Sequence, residues 1–237
     1  MVNQERKTEI ANGLEITISR INAAARSANR NPSDISLIVV TKTFPRSDAD
    51  FLYELGVRDF GENRDQEGVV KAENFHPDAK WHFQGKIQSN KIKSIAKWAD
   101  VIHSLAEIDH AKAISDRHQM AEAALPAKYP LLIQVSLDSE KRIERNGIEP
   151  KALTEFADAI AKISGLEIKG LMAVAPIAEN PNIAFARMAE IFSDFKEKFP
   201  MATWLSAGMS GDFESAITHG ATHLRIGSSI LGNRSYL

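Results

Sequence analysis

Eight short apolar runs, each followed by a segment of helical periodicity, constrain this 237-residue chain more than any other feature. The runs are Leu37–Thr41, Val57–Gly61, Trp81–Phe83, Val101–Ser104, Leu131–Leu137, Ile168–Val174, Trp204–Ser206 and His223–Ile226. Several are continuously apolar rather than alternating, which is the pattern of strands covered on both faces, as in a parallel sheet flanked by helices. Eight such units in about 200 residues predict one closed (β/α)8 barrel spanning 1–237, at the compact end of that fold's range. A doubly wound open sheet is the alternative. An additional helix from Asn3 to about Ser27 precedes the first unit, with Ile10, Leu14, Ile18, Ile21 and Ala25 on one stripe. Ser47 and Asp50 have the spacing of a capping box for the next helix. A helix after Pro150 and another carrying Phe185, Met188, Phe192 and Phe195 show apolar faces most simply read as core.

Composition removes several functions. There is no cysteine, so disulfides and thiolate metal sites are excluded. The net charge of −2 gives no electrostatic reason to expect nucleic acid or an anionic membrane as partner. Lys86, Lys91, Lys93 and Lys97 cluster, but without interleaved aromatics they read as a solvated helix face. His110 and His118 share a helix face two turns apart, roughly 12 Å along the axis, too far for one metal ion. No apolar run reaches membrane-spanning length, the N-terminus lacks a signal core, and no G-x-G-x-x-G or P-loop pattern occurs. The expectation is a cytoplasmic protein.

In a barrel, residues at the C-terminal ends of strands face the active-site mouth. Lys42 ends the first apolar run in "SLIVVTKTFP", and Asn63, Met172, Ser206 and Arg225 lie at or near other strand ends. An isolated strand-end lysine usually snorkels to water. In a desolvated mouth it loses basicity, and its neutral amine can form a Schiff base with an aldehyde. "SAGMSGD" (206–212) and "RIGSSILGNR" (225–234) follow the seventh and eighth strands. Glycines there permit close approach of backbone N–H groups, the serines add donors, and loops after these two strands are the recurrent phosphate site of barrels. A Schiff-base lysine facing a phosphate cradle suggests pyridoxal phosphate. Arg225 either pairs with an acid inside the barrel or faces the pyridine nitrogen, where a permanent cation opposes protonation.

"VVTKT" at 39–43, "FGEN" and "QEG" at 60–63 and 66–68, and "WHFQGKIQSNK" at 81–91 form an ordered set with three later motifs. These are "KGLMAV" at 169–174, "GMSGDFESAI" at 208–217 and "RIGSSILGNRSY" at 225–236. Through them the chain resembles the pyridoxal phosphate homeostasis protein family, single-domain relatives of the alanine racemase N-terminal barrel. The resemblance implies that Lys42 carries the cofactor, that Asn63 lies beside its ring and that Arg225 lies near its pyridine nitrogen. It implies phosphate contacts from Ser210, Gly227, Ser228 and the Met209 backbone, with His82 and Met172 lining the pocket. The chain departs from the family pattern at Arg64, Ser228, Leu231 and the "RNGI" stretch at 145–148, none of which is Lys42 or Arg225.

The implied role is a carrier or buffer of pyridoxal phosphate, with apo-enzymes that need it as expected partners and a monomer as the expected state. The alternative is an amino-acid racemase or related enzyme. Racemisation needs a second acid–base group on the opposite face of the carbanion, and in alanine racemases a tyrosine of a C-terminal β domain supplies it. Tyr53, Tyr129 and Tyr236 are not evident substitutes.

Overall fold

The computed structural model describes residues 2–120, 127–138 and 146–232. The strands are β1 (Ser36–Val40), β2 (Asp59–Glu62), β3 (Lys80–Phe83), β4 (Val101–Leu105), β5 (Tyr129–Gln134), β6 (Leu166–Met172), β7 (Trp204–Ser206) and β8 (His223–Ile226). They form a closed parallel barrel in chain order, sealed where β1 pairs with β8 from Ser36↔His223 to Val39↔Ile226. The expected barrel is therefore the observed one, and the open sheet is not.

The helices are α1 (Val2–Ser27), α2 (Arg46–Glu54), α3 (Asp65–Ala72), α4 (Ile92–Trp98), α5 (Ile108–Gln119), α6 (Leu153–Ala161), α7 (Pro181–Lys198), α8 (Phe213–Thr218) and α9 (Ser228–Leu231). α1 lays its apolar stripe on α8 and α9, while the longer helices that follow strands turn theirs to the outer wall of the barrel. Phe185, Met188, Phe192 and Phe195 of α7 are all buried there, each burial stabilising by roughly 1.5–3 kcal/mol. No described helix is long and apolar enough to cross a membrane.

Two local expectations are corrected. In α1 the buried stripe is Ile10, Leu14, Thr17, Ile21 and Ala25, while Ile18 is 41% exposed. Steps of four, three, four and four track the 3.6-residue period, so Thr17 falls at the centre of the contact and the larger Ile18 beside it. Ser47 does not cap α2: Pro45 is the N-cap residue, without a side-chain cap bond, and Ser47 already lies inside the helix. The first turn is instead tied to α1 by Asp48, which accepts from Arg6 Nη2 at 2.6 Å. Arg6 Nη2 also donates to the Leu231 carbonyl, so α1 braces both α2 and α9 beside the β1–β8 seam.

Candidate functional site

The loop after β1 is clamped on both sides of Lys42. Thr41 Oγ1 donates to Glu62 Oε1 at 2.6 Å, and Lys71 Nζ donates to the Thr41 carbonyl at 2.7 Å and to Glu62 Oε1 at 2.6 Å. The Thr43 amide donates to Glu67 Oε2 at 2.5 Å. Thr43 has φ +70°, a costly conformation for a β-branched residue, and these bonds hold it there. Lys42 is half-buried between the two anchored threonines. Burial pushes the Glu62 carboxyl upward, against the opposing pull of Lys71.

Across the mouth, the loops after β7 and β8 are joined: the Ser229 amide donates to Ser210 Oγ at 3.3 Å. Gly208 turns the β7 loop at φ +92°. At Gly227 a Cβ would come within 2.8 Å of the Val40 carbonyl, so only glycine lets the β8 loop lie against the end of β1. The two loops and Lys42 consequently line one cleft of about 530 Å3, within the range of small-molecule pockets. Its walls include Lys42, Phe44, Gln84, Ser210, Arg225 and Gly227.

Arg225 is 5% exposed. Its Nη1 donates to Ser206 Oγ at 2.8 Å and its Nη2 to the Ala173 carbonyl at 3.0 Å. Burial lowers its pKa to about 10, with Asp212 opposing that fall. Among the described residues no carboxylate lies within ion-pair distance of it.

Six of the nine expected site residues thus share the cleft: Lys42, Met209, Ser210, Arg225, Gly227 and Ser228. The Met209 amide is already engaged by Asp212 Oδ1 at 2.6 Å. Asn63 is half-buried, and its Oδ1 is buried without a hydrogen-bond partner. His82 and Met172 do not line the cleft. Met172 packs with Val101 and Leu132, and His82 bonds His103 and Asp59. The sequence reading missed Gln84, whose Nε2 is also buried and unpartnered. Its position in "WHFQGK", two residues after inward-facing His82, was the available signal.

Buried polar atoms are normally satisfied, so the orphan at Gln84, which lines the cleft with a lysine and serines of two loops, fits a place for a polar ligand. A phosphorylated aldehyde fits this donor set. Of the tyrosines, Tyr53 bonds Asp78 and Tyr129 bonds the Ala99 carbonyl, and neither lines the cleft. Tyr236 lies outside the described residues, as do Arg145 and Arg234. His110 bonds Ser89 Oγ, and no metal-ligating cluster exists among the described residues.

Residues 12–235 match the alanine racemase N-terminal domain family. A pyridoxal phosphate homeostasis protein of Corynebacterium glutamicum is 39% identical over 223 residues, covering 91% of this chain and 98% of that one. Its counterpart in Escherichia coli is 36% identical over 239 residues, covering 96% and 98%. The chain belongs to the pyridoxal phosphate homeostasis protein family. A solved structure of PipY from Synechococcus elongatus, described with pyridoxal phosphate bound, is 30% identical with a TM-score of 0.76. It covers 91% of this chain and 100% of its own. The family assignment agrees with the motif order, and the cleft lies where those motifs converge.

Proposed function

We propose that this protein binds pyridoxal 5'-phosphate in the cleft between Lys42 and the loops after β7 and β8, and serves as a carrier or buffer of that cofactor. The observation that carries the reading is the convergence of Lys42, Arg225 and the serines of both loops on one cavity of suitable size. PipY, a relative similar over its whole length, is described as holding the same compound.

When bound, the cofactor supplies an aldehyde that condenses with an amine, losing water, and an electron-withdrawing pyridine ring. Lys42 Nζ is the amine in this reading, and the clamps on Thr41 and Thr43 fix the backbone from which it reaches. Ser210 and Ser228 offer hydroxyl donors to the phosphate, and Gly227 lets the backbone approach it. Asn63 and Gln84 present unpartnered polar atoms to ring substituents. Arg225, a permanent cation, favours an unprotonated pyridine nitrogen and so weakens the ring as an electron sink. A weak sink suits storage better than carbanion chemistry. The same reading places the protein in the cytoplasm as a monomer that releases cofactor to apo-enzymes.

Titrating the protein with pyridoxal phosphate, reducing with borohydride and mapping the labelled peptide tests this directly. A visible Schiff-base absorbance with label on Lys42, both absent in Lys42→Ala, is the expected result. Label on another lysine, or no absorbance, overturns the site. Steady Lys42-dependent deuterium exchange at Cα of amino acids would replace the carrier reading with an enzymatic one.

A further inference from the structure

The barrel interior carries a row of polar groups that cofactor binding does not explain. Interiors of such barrels are ordinarily filled by branched apolar side chains. Here His82 (1% exposed), His103 (0%) and Ser206 (0%) sit together below Arg225. Contacts link them end to end across β8, β7, β4, β3 and β2. Arg225 Nη1 meets Ser206 Oγ at 2.8 Å, and Ser206 Oγ meets His103 Nδ1 at 2.9 Å. His103 Nε2 meets His82 Nδ1 at 2.9 Å, and His82 Nε2 meets Asp59 Oδ1 at 2.9 Å. Asp59 has a side-chain exposure of 33%, so the row begins at solvent on the N-terminal side of the barrel and ends at the cleft.

Proton counting gives the row a direction. A guanidinium only donates, so Ser206 Oγ accepts from Arg225 and its own O–H is free to donate to His103 Nδ1. His103 then carries its proton on Nε2 and donates to His82 Nδ1. His82 likewise carries its proton on Nε2 and donates to the Asp59 carboxylate, which only accepts. Every contact is satisfied, both imidazoles are neutral, and the row runs from a cation to an anion. Reversing it requires a second proton on His82, and leaves the Ser206 hydroxyl without an acceptor among the described residues. Burial holds His103 well below the ordinary imidazole pKa, and the nearby Arg225 cation pushes the same way. Burial opposes the Asp59 anion, but the hydrogen bond from His82, with the Lys80 cation nearby, outweighs it and keeps that carboxyl below its usual range.

We propose that Ser206, His103, His82 and Asp59 form a one-directional hydrogen-bonded chain that positions the Arg225 guanidinium at the cleft. The inference rests on the cofactor-site reading only for what Arg225 then does. Ser206 and the Ala173 carbonyl take one N–H each from the two terminal nitrogens, which fixes the guanidinium plane and leaves its other donors for a ligand. Asp59 and His82 do not touch the cleft, so any effect of theirs on it is transmitted through the chain.

Nitrogen-15 NMR of the imidazoles in ligand-free protein at neutral pH tests the chain without reference to pyridoxal phosphate. His82 and His103 are both expected as neutral Nε2–H tautomers. An Nδ1–H His103 or a protonated His82 would overturn the assigned direction and the proposal with it. Asp59→Leu and His103→Leu are then expected to shift the Arg225 Nε resonance and weaken pyridoxal phosphate binding about tenfold, the scale of one hydrogen bond to a charged group. His103→Gln, whose amide both accepts and donates, restores most of the affinity. Leu132→Ala, an interior change outside the chain, lowers stability without moving the Arg225 resonance. If Asp59→Leu and His103→Leu lowered stability but left that resonance in place, the chain would be structural packing and the proposal would fail. If the tautomers and resonance behaved as stated but the cofactor did not bind, the cofactor reading alone would fail.

Discussion

Two buried cations flank the cleft, and the protein treats them in opposite ways. Lys71, 4% exposed, is neutralised on the spot by Glu62 at 2.6 Å, with the Thr41 carbonyl accepting a second N–H. Arg225, 5% exposed, has only neutral partners in direct contact, a hydroxyl and a carbonyl. Its nearest continuous link to an anion passes through two imidazoles. The difference separates scaffolding from function. A charge that only holds a loop is best cancelled locally, whereas a charge meant for a ligand must keep its field uncancelled until the ligand arrives. Under the proposed reading, the ligand's ring nitrogen would be the missing acceptor for Arg225. No such ligand is needed for Lys71.

The largest effect should come from breaking the locally cancelled pair. Lys71→Met leaves the Glu62 carboxyl buried without its cation, and also frees the Thr41 carbonyl. Removing one partner of a buried pair typically costs about 3–5 kcal/mol. Urea unfolding is expected to show a loss of that size, with a smaller loss in the Lys71→Met/Glu62→Gln double variant. Equal losses in the single and double variants would mean that the ion pair is not what stabilises the Lys42 loop.

A third buried basic group sharpens the contrast, because here the charge is suppressed altogether. His223 stacks on Trp204, with its Nδ1 2.8 Å from Thr222 Oγ1, and burial lowers its pKa to about 4. In the unfolded chain it titrates near about 6.5. Above that pH neither state is protonated at this position and its contribution is fully present. As pH falls from about 6.5 towards about 4, the unfolded chain takes up a proton that the folded chain refuses, and stability drops. The drop attributable to His223 is about 3 kcal/mol on the scale of 1.4 kcal/mol per unit. Stability measured across that window should flatten by about this amount in His223→Gln. His103, also buried and lowered, retains the remaining slope. An unchanged slope in His223→Gln would show that His223 is not the group responsible.

These contrasts also show which parts of the molecule were legible in one dimension. The eight strands were, because a strand covered on both faces must be apolar along its length, and that pattern survives without knowing its neighbours. The barrel mouth was legible through Lys42, the serine loops and Arg225, whose motifs lie at strand ends. The interior chain was not. His82 and His103 stand in "KWHF" and "VIHSL", each a single histidine in a short strand that is otherwise mostly apolar. Which histidines meet depends on the stagger between staves, and β3 pairs with β4 through His82↔Val101 rather than His82↔His103. Thr17 was missed and Ser47 wrongly taken as a cap for the ordinary reason that a shift of one or two residues moves a face or a cap without changing the helix.

The smallest effect on stability, and the sharpest test of the comparison, is expected at the uncancelled charge. Arg225→Met removes a buried guanidinium that has no carboxylate in direct contact and fills much of the same volume with an unbranched apolar chain. Replacing buried charge by apolar volume is often neutral. Two hydrogen bonds are lost, but the Ser206 hydroxyl keeps its acceptor in His103 and the desolvation of the cation disappears. A change within about 1 kcal/mol is therefore expected by urea unfolding, far less than for Lys71→Met. Pyridoxal phosphate should nevertheless bind at least about tenfold more weakly, since a charged donor to the ligand is gone. Stability and binding thus separate at Arg225 and move together at Lys71, where the Lys42 loop itself loosens. An Arg225→Met protein as unstable as Lys71→Met would place both cations in the scaffold and remove the basis for assigning Arg225 to the ligand.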